Sequence, residues 1–165
     1  MHKTWLHGSG VENVKVRIGG HSKTELLMLL SKKKVALNAY ATMIFMSSEF
    51  VISESCYDVF LQSASVESLG LIKGGTFDEI VESAYAKGMS LCPIEVAPYL
   101  RLEHQEATKC SGLLTVASKL FSSEYMPNGF YLRAYDGHIW LRGYKATHDV
   151  VYEPGMEFVF TLSNA

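Results

Sequence analysis

Aromatic and cationic side chains alternate along residues 130–143, and together they could bind a ligand. Asp136 and Gly137 stand between two runs of alternating apolar and polar residues, a strong signal for a β-hairpin with a two-residue turn. Such a turn predicts Tyr135 opposite His138. Because side chains alternate between the two faces of a strand, one face is apolar and the other polar. The polar face carries Tyr131, Arg133, Tyr135, His138, Trp140 and Arg142.

Rings that alternate with cations suit a ligand that combines a flat ring with negative charge, since rings stack and cations neutralise. The same residues can also pair with one another across a sheet and contribute stability alone. The polar face is therefore the first candidate for a binding surface. The alternative interpretation is a self-contained ladder of cation–aromatic pairs.

Cys92 is the best candidate for a catalytic nucleophile. It precedes Pro93, and proline is favoured at the first position of a helix, although Pro98 means that such a helix is short or restarts at Pro98. The sequence therefore predicts the thiol at a helix N-terminus, where unpaired amides and the helix dipole favour the thiolate. Catalysis also needs a base, which His21 or His104 could provide if the fold brings one of them close. The alternative is a small buried side chain.

The case for a metal site near His104 is weaker than the case for a nucleophile at Cys92. Cys110, Glu103 and Glu106 are close in sequence and can bind metals, but they lack the spacing that places ligands on one helix face or knuckle. The glycine pair at 19–20 lacks the lysine and hydroxyl of a phosphate-binding loop and indicates a turn. The sequence thus predicts no metal site and no cofactor.

Periodic patterns predict the elements that must position these residues. Alternation predicts strands at 14–18, 56–61, 113–120 and 156–162. Capping boxes at Ser22 and Thr76 predict two helix starts, and shorter helices are expected near 37–45 and after Pro93. Because strands dominate the C-terminal end, we expect an α+β domain: a mostly antiparallel sheet, a C-terminal β-hairpin or meander, and two or three short helices.

Lys32, Lys33 and Lys34 follow the first predicted helix. Cations stabilise the negative C-terminal end of a helix, so three adjacent lysines there are typical of a solvated helix end. A nucleic-acid patch is the less favoured alternative.

Composition narrows the class of protein. A chain of 165 residues, 48% hydrophobic and 19% charged, predicts one globular domain over 1–165, with 1–12 as a loosely ordered tail. A net charge of −2 argues against a duplex-DNA binder. Three cysteines without paired spacing favour reduced thiols. No segment is apolar for long enough to form a signal peptide or a membrane span, so we expect a cytoplasmic protein.

Residues 70–103, with GLIKGGTFDEI and LCPIEVAPYLRLE, and the later Trp140-Leu141-Arg142 resemble a family of small, uncharacterised bacterial proteins. The family shares an LCPxEVxPxLRL-type segment and a WLRG-type hairpin, and the resemblance extends from Ile18 onward. This chain differs at Ala97, where members often have glycine, and at Tyr99, where members are more polar. The family has no established activity, so the resemblance implies a single cytoplasmic bacterial domain and assigns no functional residue.

Three functions are compatible with these patterns. The first is a non-catalytic domain that binds a small molecule or a protein partner through the polar hairpin face, with an anionic or ring-bearing ligand. The second is a small thiol-dependent enzyme that uses Cys92 and a histidine base. The third is a structural protein whose aromatic face joins copies of itself into a homo-oligomer, since Tyr, Trp and Arg are enriched at interfaces. The sequence does not decide whether the protein is an enzyme.

Overall fold

A curled, mostly antiparallel sheet and four α-helices make up residues 13–104 and 113–162, the part of the chain described by a computed structural model. The α+β prediction is confirmed, with more helices in this part than the two or three expected. The predicted N-terminal tail, residues 1–12, lies outside the described residues.

Ten strands and four helices follow one another along the described chain. The strands are β1 (Val14–Ile18), β2 (Val35–Leu37), β3 (Tyr57–Ser65), β4 (Gly75–Thr76), β5 (Met89–Ser90), β6 (Leu113–Val116), β7 (Gly129–Tyr135), β8 (His138–Tyr144), β9 (Val151–Tyr152) and β10 (Glu157–Leu162). The helices are α1 (Lys23–Lys32), α2 (Ala39–Met46), α3 (Phe77–Ala86) and α4 (Val96–Glu103).

The main sheet has the order β1-β3-β10-β6-β7-β8-β2, with β5 also paired to β10, while β4 and β9 form a separate pair. Two pairs are parallel, β10 with β6 and β2 with β8.

Both predicted capping boxes are confirmed. The Ser22 hydroxyl accepts from the Glu25 amide at 3.1 Å, and the Glu25 carboxylate accepts from the Ser22 amide at 2.9 Å. Thr76 and Glu79 make the same reciprocal pair at the start of α3. Each box satisfies amides that have no partner within the helix, so each fixes where its helix begins.

Helix α4 lies inside the curl of the sheet. It contacts β1 at one end of the strand order and β7 and β8 toward the other end. Its six residues from Val96 to Arg101 are all buried. The Arg101 guanidinium donates to the carbonyls of Trp140 at 3.4 Å and His104 at 3.0 Å, and burial lowers its pKa to about 10. The bond to Trp140 connects α4 to the backbone of β8, and the bond to His104 stays at the end of α4.

The main sheet separates two hydrophobic cores. Val159 of β10 belongs to the first core, which α1, α2 and α4 cover. Phe158 and Phe160, on the opposite face of the same strand, belong to the second core beneath α3. Within residues 13–104 and 113–162, none of the helices has the length and apolar character needed to cross a membrane.

Candidate functional site

The hairpin of β7 and β8 has the predicted register. Asp136 and Gly137 have φ angles of 51° and 73°, as the two central residues of a type I′ turn require. Tyr135 pairs with His138, and the ladder continues to Gly129 opposite Tyr144. A turn of two residues therefore determines which side chains of the hairpin share a face.

One hairpin face, which we call the inner face, belongs to the first core. Phe130, Leu132 and Leu141 are 0% exposed. The Phe130 ring lies 5.7 Å from the ring of Phe45 in α2, and α4 packs on the same cluster. The alternate residues of both strands consequently point to the opposite side of the sheet.

These alternate residues form the outer hairpin surface, with Arg142 near its centre. Its members are Tyr131, Arg133, Tyr135, His138, Trp140 and Arg142. The Arg142 guanidinium lies 4.8 Å from the Trp140 ring centroid and 6.0 Å from that of Tyr131. Its Nε donates to the Tyr131 hydroxyl at 2.7 Å. Arg133 stacks on Tyr135 at 4.7 Å, so two planar cations are held against aromatic rings.

Several hydrogen-bond donors of the outer hairpin surface remain unused. No described residue accepts a hydrogen bond from the terminal nitrogens of Arg142 or from the guanidinium of Arg133. The indole Nε1 of Trp140 is buried and also has no acceptor among the described residues. Stacking uses the flat face of a guanidinium and leaves its N–H edge free. That edge binds carboxylate or phosphate in a bidentate geometry.

Asn38 and Gly143 hold the hairpin against α2. The Asn38 side chain donates to the Gly143 carbonyl at 2.9 Å and accepts from the Gly143 amide at 2.8 Å. The same side-chain oxygen caps α2 by accepting from the Ala41 amide at 2.9 Å. A Cβ at Gly143 would lie 2.7 Å from that amide nitrogen, so only glycine fits. This clamp, next to Arg142 in the chain, was missed from the sequence.

The prediction that Cys92 lies at a helix N-terminus is wrong. Helix α4 begins at Val96, which places Pro98 in the first turn, where an amide has no partner to lose. Cys92 instead forms a bridge with Ser118 and is 3% exposed. Its thiol donates to the Val159 carbonyl at 3.5 Å. Burial raises the pKa of this thiol, which opposes formation of the thiolate that a nucleophile needs.

The two candidate bases contact other residues. Nδ1 of His21 lies 2.9 Å from the Tyr99 hydroxyl. His104 is buried at the end of α4, with Nε2 3.7 Å from the Glu103 carboxylate. The polar contacts described for these histidines thus lead to partners other than Cys92.

A cluster around the carbonyl of Gly19 was also missed from the sequence. This carbonyl accepts from the Tyr99 hydroxyl at 3.0 Å and from the Cys56 thiol at 3.4 Å. Because Tyr99 donates to the carbonyl, its oxygen is left to accept from Nδ1 of His21. Burial and the nearby charge of Glu95 raise the pKa of Tyr99 to about 12. Cys56 is exposed.

In the sequence, the pair Gly19-Gly20 is the feature that could have indicated this cluster. Gly19 and Gly20 have φ angles of +88° and +84°, which side chains with a Cβ rarely adopt. A Cβ at Gly20 would lie 2.5 Å from the Cys56 sulfur. The pair therefore allows the chain to pass close to the thiol.

Within the described residues, no group of three or more His, Cys, Asp and Glu side chains could hold a metal. Cys110 and Glu106, considered above as ligands, lie outside the described residues.

A cavity of about 360 Å³ lies beside α3. Phe77 and Tyr152 line it together with the oppositely charged Asp78 and Lys145. The Lys145 ammonium donates to the Met126 carbonyl at 2.9 Å, so it already makes a hydrogen bond to the surrounding loop. The mixture of charges indicates no single class of ligand.

Comparison with known proteins found no matching family model, no matching curated protein and no matching solved structure. The resemblance to small bacterial proteins stays a prediction. Function must therefore be inferred from the side chains and their contacts.

Proposed function

We propose that this protein is a non-catalytic binding domain that holds an anionic, ring-bearing ligand on the outer hairpin surface. The observation that carries the proposal is the state of Arg142, which is stacked on Trp140 and bonded to Tyr131 while its terminal nitrogens have no described acceptor. A self-contained ladder would use those donors internally. An anionic group could accept from them without disturbing the stack.

The arrangement lowers the cost of binding. A guanidinium already held by stacking and by one hydrogen bond loses less side-chain entropy when a ligand arrives. Strands β7 and β8 contain no aspartate or glutamate that would compete for Arg133 or Arg142. Tyr135, 57% exposed, offers a further ring for stacking.

A thermal-shift screen tests this proposal. Its panel contains mononucleotides and aromatic carboxylates, each beside its neutral ring analogue and beside inorganic phosphate. A ligand at ten times its Kd adds about 1.4 kcal/mol to stability, which raises Tm by roughly 3–6 °C for a domain of this size. We expect charged ring compounds to raise Tm and the neutral analogues and phosphate to have smaller effects.

Matched arginine variants locate the binding. Arg142→Gln should abolish the shift, whereas Arg17→Gln should keep it, because Arg17 lies on β1 and pairs with Asp58 at 3.3 Å. Equal shifts in the two variants, or no shift with any compound, would reject the outer hairpin surface as the site. Sedimentation of the wild type and Arg142→Gln checks the alternative of a homo-oligomer interface, which predicts that the substitution dissociates an assembly.

A thiol-dependent enzyme is the second candidate, and one observation favours it. Exposed Cys56, rather than buried Cys92, shares the Gly19 carbonyl with Tyr99, which in turn binds His21. If the imidazole activates this thiol, His21→Gln should slow alkylation of Cys56 at neutral pH and shift its pH profile. An unchanged rate and pH profile would show that His21 does not act as a base for Cys56.

A further inference from the structure

The fold brings the lysine run to the edge of the outer hairpin surface. Strand β2 pairs in parallel with β8, so that Val35 lies opposite Ile139 and Ala36 opposite Trp140. Lys34 immediately precedes Val35 and therefore lies beside the start of β8, at His138. Lys32 and Lys33 precede Lys34 in the chain, at the C-terminal end of α1. All three lysines are exposed.

The charges of this combined surface are not neutralised by the described residues. The described ion pairs involve Asp58 with Lys15 and Arg17, and Glu103 with His104. The three lysines, Arg133 and Arg142 take part in none of these. Strands β2, β7 and β8 contain no carboxylate, and the turn adds only Asp136. A positive surface therefore exists on a chain whose net charge is −2.

The geometry of the rings suggests which anion fits. From Tyr131 to Tyr135 the strand extends about 13 Å, and three neighbouring strands span about 10 Å. Such an area accommodates two or three stacked bases, the number that sheet-based single-strand binders commonly hold. Arg142 near its centre and Lys34 at its edge are cations that could contact the phosphates between those bases.

We propose that the outer hairpin surface and Lys32–Lys34 together bind single-stranded nucleic acid. The proposal rests on the proposed function and names its ligand class. Bases stack on Trp140 and Tyr135, while Arg142 and the lysines contact phosphates. We expect a duplex to bind more weakly, because its bases are already stacked on one another and its recognition relies on a more strongly basic protein.

Fluorescence anisotropy with labelled eight-nucleotide oligodeoxyuridine and oligouridine tests the proposal. With about four phosphates contacted, by Arg142 and the three lysines, log K should fall with log salt at a slope of about −2.8. Trp140→Leu should weaken binding roughly 5- to 150-fold, the value of one stacked base, and leave the slope unchanged. Trp140→Phe retains a ring and should keep most of the affinity, and circular dichroism confirms that each variant is folded. Deoxyuridine and uridine oligomers differ only in the 2′-hydroxyl, so the ratio of their affinities shows which nucleic acid is preferred.

Lysine variants test the edge of the surface. Lys33→Gln combined with Lys34→Gln should reduce the salt slope by about 1.4. Lys87→Gln is the matched control, because Lys87 follows α3 as Lys33 follows α1, and both residues cap a helix. This control should leave both affinity and slope unchanged.

Two competing ligands separate the possible failures. If inorganic polyphosphate or a duplex of equal charge binds as tightly as the oligonucleotide, or if Trp140→Leu has no effect, the surface is a general polyanion site and the inference is overturned. If mononucleotides raise Tm through Arg142 but oligonucleotides bind no more tightly, the nucleic-acid inference fails while the proposed function stands. If neither binds, both fail.

Discussion

Leu141→Ala and Trp140→Ala compare the two faces of the hairpin, because these neighbours point to opposite sides of β8. Leu141 is 0% exposed within the first core. Replacing it by alanine removes three carbons at about 0.8 kcal/mol each and leaves a cavity. We therefore expect the free energy of unfolding to fall by roughly 2 to 5 kcal/mol.

Trp140→Ala should cost less, since two effects oppose one another. The variant loses a cation–aromatic contact with Arg142, worth about 0.5–1 kcal/mol, together with part of the buried ring area. It also removes a buried indole N–H that has no acceptor among the described residues, and such a group destabilises by roughly 1–3 kcal/mol. The net loss should therefore stay below that of Leu141→Ala.

Urea unfolding followed by far-ultraviolet circular dichroism measures both variants without relying on the altered tryptophan. The m value should stay the same, so that midpoints report stability alone. Trp140→Phe is the control, because it keeps a ring and removes the N–H, and should remain close to wild type. If Trp140→Ala unfolds as readily as Leu141→Ala, the outer hairpin surface is a further core layer and the binding proposal must be abandoned.

The capping box, the thiols and the buried phenol lead to three more expectations. Thr76→Ala should lower the unfolding free energy by about 1 kcal/mol in urea, and an unchanged midpoint would contradict the role of the cap. Iodoacetamide should label Cys56 in the native protein and Cys92 only after unfolding, and equal labelling by mass spectrometry would contradict the burial of Cys92. Folding raises the pKa of Tyr99 from 10.0 to about 12, so its contribution is complete below pH 10 and is lost as the pH rises toward 12. Stability of Tyr99→Phe should therefore fall less steeply over that range, and identical slopes would refute this.

Elements governed by neighbouring residues were predictable from the sequence. The Asp136-Gly137 turn needs two positive φ angles, and that requirement alone determined the hairpin register and the two faces. The boxes at Ser22 and Thr76 likewise close within three residues. In each case the partners are so close along the chain that their geometry hardly depends on the rest of the fold.

The start of α4 shows where local information is insufficient. Pro93 and Pro98 are both compatible with a first helical turn, and the sequence favoured the earlier one. In the structure, α4 begins later, at Val96, and its residues from Val96 to Arg101 are buried inside the curled sheet. Cys92 consequently lies before the helix, against Ser118 and Val159, and not at its N-terminus.

The composition of the candidate sites was decided by tertiary structure. Asn38 reaches Gly143 across 105 residues of chain, and Tyr99 reaches Gly19 across 80. The parallel pairing of β2 with β8 places Lys34, for which the sequence favoured a role at a solvated helix end, beside His138 at the start of β8. From the sequence, the residue types, the hairpin faces and the helix caps could be determined, because these depend on short-range geometry. The tertiary structure decided which of those groups share a surface, through strand pairing and through packing around α4. These interactions join segments that are far apart in the chain, so the local sequence of each segment does not reveal them.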